Sequence, residues 1–136
     1  MGKNIAWVLV AGIFLALAYV RLAPLDPARW HRPVPHTADV YLTGGAARVI
    51  PGDAGIMAQA DAALRAEPRT RVLAGSVDSG RVTYATRSAV IGFPDLTTIE
   101  LHGDQLRIYG RLRFGRSDLG VNRARLQRVI AAVQSR

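Results

Sequence analysis

The chain has 136 residues, 49% of them hydrophobic and 21% charged, which leaves room for one globular domain, not two, and is not the composition of a disordered tract. Cysteine is absent, so a disulfide framework, thiolate metal ligation and a cysteine nucleophile are all excluded. Eighteen basic residues face 10 acidic ones for a formal charge of +8; 17 of the basic residues are Arg beside Lys3, and there are 21 Ala. That bias fits the codon usage of a GC-rich bacterial genome better than a binding preference.

Residues Ile5 to Val20 (IAWVLVAGIFLALAYV) carry no charge over sixteen positions. Sixteen helical residues rise about 24 Å, a little short of a hydrocarbon core of roughly 30 Å. Running the span to Ala23 with Arg21 snorkelling outward supplies the missing length. Trp7 and Tyr19 then lie near the two interfaces, where amphipathic rings are favoured. A cleaved signal peptide is the competing expectation, with Ala16-Leu17-Ala18 as the cut. The apolar run continues past that site without a polar stretch before it, so we expect an uncleaved anchor over residues 1–23. The positive charges downstream (Arg21, Arg29, Arg32) argue for a cytoplasmic domain, whereas the short basic tail before a signal-like run argues for export. We expect a single pass of the inner membrane with a periplasmic domain.

Pro24, Pro27, Pro33 and Pro35 mark residues 24–36 as an extended juxtamembrane linker, since proline removes amide donors and keeps its predecessor out of the helical region. Trp30 and His31 in it are placed either on headgroups or back against the domain, which occupies residues 37–136. Pro51-Gly52-Asp53 opens a helix capped by Asp53, with Ile56, Met57, Ala60, Ala63 and Leu64 on one face and Glu67-Pro68 as its end. Strands are predicted at Arg71–Val77 and Arg81–Ile91 around the turn Asp78-Ser79-Gly80, and a hairpin at 97–101 and 105–114 around His102-Gly103-Asp104. In the last strand Leu106, Ile108, Gly110, Leu112 and Phe114 face one way and Gln105, Arg107, Tyr109, Arg111 and Arg113 the other. That is one buried and one basic face of an antiparallel sheet. A final helix, capped by Ser117 or Asp118, presents Leu126, Val129, Ile130 and Val133 to the core. The fold class is α+β, with about four strands, an internal helix and a C-terminal helix.

Chemistry is sparse. His31, His36 and His102 have no metal-ligand spacing, so no metal or other cofactor is expected. Ser117 beside Asp118 offers two members of a nucleophilic triad, but at a helix start short oxygen-bearing side chains are ordinarily caps. Gly115 to Gly120 lacks the Lys-Ser/Thr of a phosphate loop, because Val121-Asn122 follows. Seven arginines and one acid lie between Arg107 and Arg128, a net +6 in 22 residues. Arg107, Arg111, Arg113 and Arg116 are therefore the candidate surface for anionic lipid or an acidic membrane-protein partner, beside the plainer alternative of a solvated face. Nucleic acid is disfavoured, since Tyr109 is the lone aromatic there and an anchor precedes the domain.

The stretches Thr86 to Asp95 (TRSAVIGFPD) and Arg113 to Arg123 (RFGRSDLGVNR), with Asp26-Pro27-Ala28-Arg29-Trp30-His31, resemble a bacterial and plastid family known as domain of unknown function family 1499. The resemblance spans about residues 24–134 and is most specific at Gly115–Asn122. It departs at Tyr109-Gly110-Arg111-Leu112, where the family pattern runs Arg-Ser-x-Ser, which puts any shared target in doubt. It implies a fold and a membrane address, and no catalytic residues. Geometry alone accounts for the motif: Gly115 and Gly120 allow a tight strand-to-helix turn, Ser117 or Asp118 caps, and Asn122 bonds nearby backbone. The leading expectation is a membrane-anchored, non-catalytic binding or scaffolding module. The alternative is an envelope hydrolase or transferase using Ser117, Asp118 and Arg113.

Overall fold

A computed structural model describes residues 1–135. The elements run α1 (Gly2–Leu22), α2 (Pro27–Trp30), β1 (Val40–Leu42), β2 (Gly45–Pro51), α3 (Ala54–Ala66), β3 (Thr70–Ser76), β4 (Arg81–Arg87), β5 (Pro94–His102), β6 (Gln105–Leu112) and α4 (Val121–Gln134). The six strands form one antiparallel sheet in the order β1-β2-β6-β5-β4-β3. Four strands were expected. The two extra ones, β1 and β2, are short, largely apolar runs split by Thr43-Gly44 and without a strong alternation, and β2 gains its place by pairing with Gln105–Arg111 of β6.

Helices α3 and α4 cover one face of the sheet. Met57, Ala60 and Leu64 of α3 and Leu126, Val129, Ile130 and Val133 of α4 meet Val82, Tyr84, Ile99, Leu106 and Ile108 in the main core. Asp53 caps α3 as its sequence implies, accepting from the Ile56 amide at 2.9 Å. Helix α4 approaches closely at Gly110, where an added Cβ would stand 2.8 Å from Asn122 Oδ1 and 3.1 Å from Leu126 Cδ1. Only glycine lets this helix lie so near the strand.

Three local expectations give way. The strand predicted to reach Ile91 stops at Arg87, because Ser88 Oγ accepts from both the Gly92 and Phe93 amides and turns the chain. The 102–104 loop is tighter than three residues, since His102 still pairs with Gln105. The N-cap of α4 is Gly120 at φ 79°, not Ser117 or Asp118.

The largest departure concerns the second face. Residues 23–36 are not extended throughout, and of the two placements left open for Trp30 and His31 the structure shows the one back against the domain. Pro27 starts the short helix α2, capped by Asp26, whose carboxylate accepts from the Ala28 amide. The segment crosses the sheet as a strap: Ala23, Leu25 and Val34 are buried, and Leu25 and Trp30 pack with Leu73, Ala85 and Leu96. Polar groups of the sheet hold its backbone. Arg113 Nη1 donates to Pro24 O at 2.6 Å, Arg111 Nη2 to Trp30 O at 2.6 Å, and the Val34 amide to Glu100 Oε2 at 2.9 Å. His31 Nδ1 bonds Thr83 Oγ1 at 2.9 Å, and His36 meets Tyr109 edge to face at 4.8 Å.

Arg111→Gln is expected to free the strap at a cost on the order of 2 kcal/mol, since it removes a charge-assisted bond to a strap carbonyl. Hydrogen exchange should quicken at the Val34 amide while the α3 amides stay protected. Unchanged exchange at Val34 would show that apolar contacts alone hold the segment.

Candidate functional site

The two motif stretches converge on one end of the sheet. Thr86–Asp95 ends β4 and begins β5, and residues 113–122 lead from β6 into α4. The strand register places Asp95 opposite both Thr86 and Leu112. Between this end and the α3 terminus lies a cleft of about 670 Å³, whose polar lining includes Glu67, Arg69, Arg87, Asp95, Arg125 and Arg128.

A buried polar chain forms its floor. Asn122 is fully buried and Arg125 only 5% exposed. Arg125 Nη1 donates to Asn122 Oδ1 at 2.9 Å, and both its terminal nitrogens stand 3.5 Å from Asp95 Oδ2. Asn122 Nδ2 donates to Asp118 Oδ2 at 2.8 Å. The Arg125 Nε is buried without a partner. Burial is the largest influence on Asp95 and raises its carboxyl above the ordinary range, with Asp118 adding to the rise and Arg125 and Asn122 opposing it. At the rim, Arg128 grips Glu67 through two bonds of 2.8 and 2.9 Å, and this holds the Glu67 carboxyl below its usual range.

Ser117 and Asp118 accept from backbone amides of the turn, whereas the side chain of Asn122, expected to bond nearby backbone, bonds the side chains of Asp118 and Arg125 instead. Asp118 lies two residues before the N-cap, yet its Oδ1 accepts from the Gly120 amide at 3.0 Å and its Oδ2 from the Asn122 amide at 3.0 Å. The carboxylate thus serves the first turn of α4 from upstream, where a negative charge also suits the helix dipole. Ser117 Oγ accepts from the Leu119 amide at 3.2 Å, and Gly115 and Gly120 both take positive φ. No histidine joins this turn. His31 is bonded to Thr83 under the strap, and His102 lies at the far end of the β5–β6 hairpin. Among the described residues no group of three His, Asp or Glu is placed to hold a metal.

The arginines of β6 are not the open basic face that alternation implied. Arg111 lies under the strap, bonded to Trp30 O and Thr98 Oγ1, with its guanidinium carbon 4.8 Å from the centre of the Tyr109 ring and 5.8 Å from that of Trp30. Burial without a carboxylate lowers its pKa to about 10. Arg113 is spent on the carbonyls of Ala23 and Pro24. Arg107 is half-buried with its Nε unpartnered, and Arg116 alone of the four is exposed. A second cluster went unrecognised in the sequence: Arg21, Arg69 and Arg87 stand around a smaller cavity beside the cleft. They are 66 residues apart in the chain at the extremes, and no local pattern links them.

Asp118→Ala is expected to cost on the order of 1 kcal/mol of stability as a lost helix cap, read by thermal unfolding, with Asn at the same position restoring most of it. Asp95 provides a pH signature. Its folded-state pKa exceeds the unfolded one, so its contribution is fully present below the unfolded value and is lost as pH rises through the folded value. The stability of the parent relative to Asp95→Asn should therefore decline with rising pH across the carboxylate range. A flat difference would place Asp95 in an environment no different from water.

Comparison with curated proteins gives no match. A family described as protein of unknown function (DUF1499) matches residues 37–133. That match takes in the whole sheet from β1 to β6, both covering helices and the cleft between them, so the chain belongs to the DUF1499 family.

Proposed function

We propose that this protein is a single-pass membrane protein that holds a non-catalytic binding module at the membrane surface, with the domain on the periplasmic side of the inner membrane. One observation carries the reading. Helix α1 is 21 residues long with a mean hydropathy of 2.2 in its most apolar window, and none of that window is buried. An apolar stripe covered by nothing in its own fold calls for an apolar surrounding. A signal sequence passes the same test of length and hydropathy. Retention is favoured here by the bonds that tie the helix end to the domain: Arg21 to the carbonyls of Val90 and Ile91, and Arg87 to that of Val20. A cut after Ala18 would leave that docked turn without the helix that shapes it.

Binding rather than catalysis is supported by the turn at Ser117 and Asp118, whose oxygens accept from backbone amides as caps do. The ligands that suit the domain end nearest the helix are anionic: acidic phospholipid, or an acidic segment of a neighbouring membrane protein. Arg69 and Arg116 are exposed there, and such charges act over about one Debye length.

Alkaline carbonate should leave the full chain in the membrane pellet, and an alkaline phosphatase fused to the C-terminus should be active. Recovery of the chain in the supernatant, with a mature terminus at Tyr19, would overturn the anchor. An active cytoplasmic reporter in place of the phosphatase would reverse the orientation.

A further inference from the structure

The cavity framed by Arg21, Arg69 and Arg87 has an unusual balance. Its volume is about 360 Å³, and Ser88, Ala89 and Gly92 complete its lining, so it contains three cations and no acid. None of the three arginines takes part in an ion pair among the described residues. Each is positioned by main-chain carbonyls instead. Arg21 Nε donates to Ile91 O at 3.2 Å and its Nη2 to Val90 O at 2.5 Å. Arg87 Nη1 donates to Gly92 O at 2.9 Å and Val20 O at 3.3 Å, and Arg69 Nε to Arg87 O at 2.9 Å. A guanidinium has five N–H donors, so each of the three retains donors beyond these bonds. Carbonyls fix the geometry and leave the charge uncompensated. The Arg87 pKa is accordingly lowered, first by burial and then by Arg71, Arg113 and Arg21.

On the side away from the polar cleft, the cavity is bordered by apolar groups. Val90 is 81% exposed on the same loop, with Ile91 and Phe93 partly exposed beside it, and Tyr19 and Leu22 of the last turn of α1 are exposed as well. Tyr19 and Phe93 each pack against Phe114, at 6.0 and 6.4 Å between ring centres. A basic cavity thus opens where the apolar run Ile5–Val20 of α1 ends, flanked by an aliphatic loop tip. A molecule that matches this has a phosphate at one end and acyl chains at the other. We propose that Arg21, Arg69 and Arg87 form a binding site for the phosphate headgroup of an anionic phospholipid, with its acyl chains alongside α1 and the Val90 loop in the interface. The inference rests on the anchoring proposed above. It differs from the earlier expectation in using none of Arg107, Arg111, Arg113 or Arg116.

The test uses the full chain extracted in mild detergent, with phosphatidylglycerol or phosphatidylcholine added and retained lipid counted by native mass spectrometry. Carbonate extraction of the membranes from which the chain is prepared is run in parallel. Phosphatidylglycerol should be retained over phosphatidylcholine by at least about tenfold, because each arginine near a fixed anion contributes close to a fivefold factor. Replacing the arginines risks the fold, since they also bind the chain. Ala89→Glu avoids this: Ala89 is an exposed loop residue at the cavity wall, and the new carboxylate neutralises part of the cluster in place. It should abolish most of the preference, while Ala89→Gln, of the same size, should keep it. Inorganic phosphate in millimolar excess should not displace the lipid. Equal retention of the two lipids by a carbonate-resistant chain would overturn the site and leave the anchor standing. Displacement by free phosphate would reassign the cavity to a soluble anion. Extraction of the chain by carbonate would overturn both readings.

Discussion

A buried guanidinium without a carboxylate organises this domain. Arg111 sits under residues 23–36 and is satisfied by Trp30 O, Thr98 Oγ1 and the ring faces of Trp30 and Tyr109. Desolvating a cation is costly unless its donors are met, and Trp30, which meets this one with both its carbonyl and its ring, belongs to the strap. The strap and the cation therefore stabilise each other. Without the strap, Thr83, Thr98 and Glu100, all buried now, would present a wet polar sheet face. With it, the sheet is covered on both sides and its polar residues become fastenings.

The mechanical consequence reaches the helix. A proline-bearing tether of this length, left free, would let a domain swing beneath its anchor. Here Ala23 and Leu25 are buried directly after α1, and Arg113 holds the carbonyls of Ala23 and Pro24. These contacts fasten the domain to the end of the helix, and the end of the sheet that carries the cleft and the exposed Val90 and Leu119 lies toward the helix foot.

What was legible in the sequence is what is local. The capping of α3 by Asp53, the apolar faces of α3 and α4, and the inward set Leu106, Ile108 and Gly110 all follow from spacings within one element. The outward face of β6 was recognised as basic, but its fate was not, because alternation tells which residues share a face and nothing about what covers it. The covering segment leaves both placements of Trp30 and His31 open in the sequence for a related reason. Prolines at 24, 27, 33 and 35 speak against long helix and sheet, and an ordered strap needs neither, since its carbonyls are met by arginine side chains. Asp118 shows a finer limit: its capping role was readable, whereas its place two residues upstream of Gly120 depends on a left-handed glycine that composition cannot position. The Arg21, Arg69 and Arg87 cluster was invisible, being assembled by the fold from α1, the α3–β3 connection and β4.

The distribution of the ten acidic residues explains why that cluster stays positive. Asp26, Asp53 and Asp118 serve helix starts, and Asp78 and Asp104 lie in turns. The other five are each committed to one arginine: Asp39 to Arg48, Asp61 to Arg65, Glu67 to Arg128, Asp95 to Arg125 and Glu100 to Arg81. The carboxylates are exhausted before Arg21, Arg69, Arg87, Arg111 and Arg113 are reached. Backbone carbonyls can take the protons of a guanidinium, and as dipoles they stabilise it over a few ångströms, but they carry no net charge to cancel its field. The hydrogen bonds of these arginines are therefore met locally while their charge still acts at a distance. At the strap the Arg111 cation is stabilised further by the faces of the Trp30 and Tyr109 rings. Around the helix foot the field opens into a cavity, and an anion entering there meets donors already held in place, with little further ordering needed to bind it.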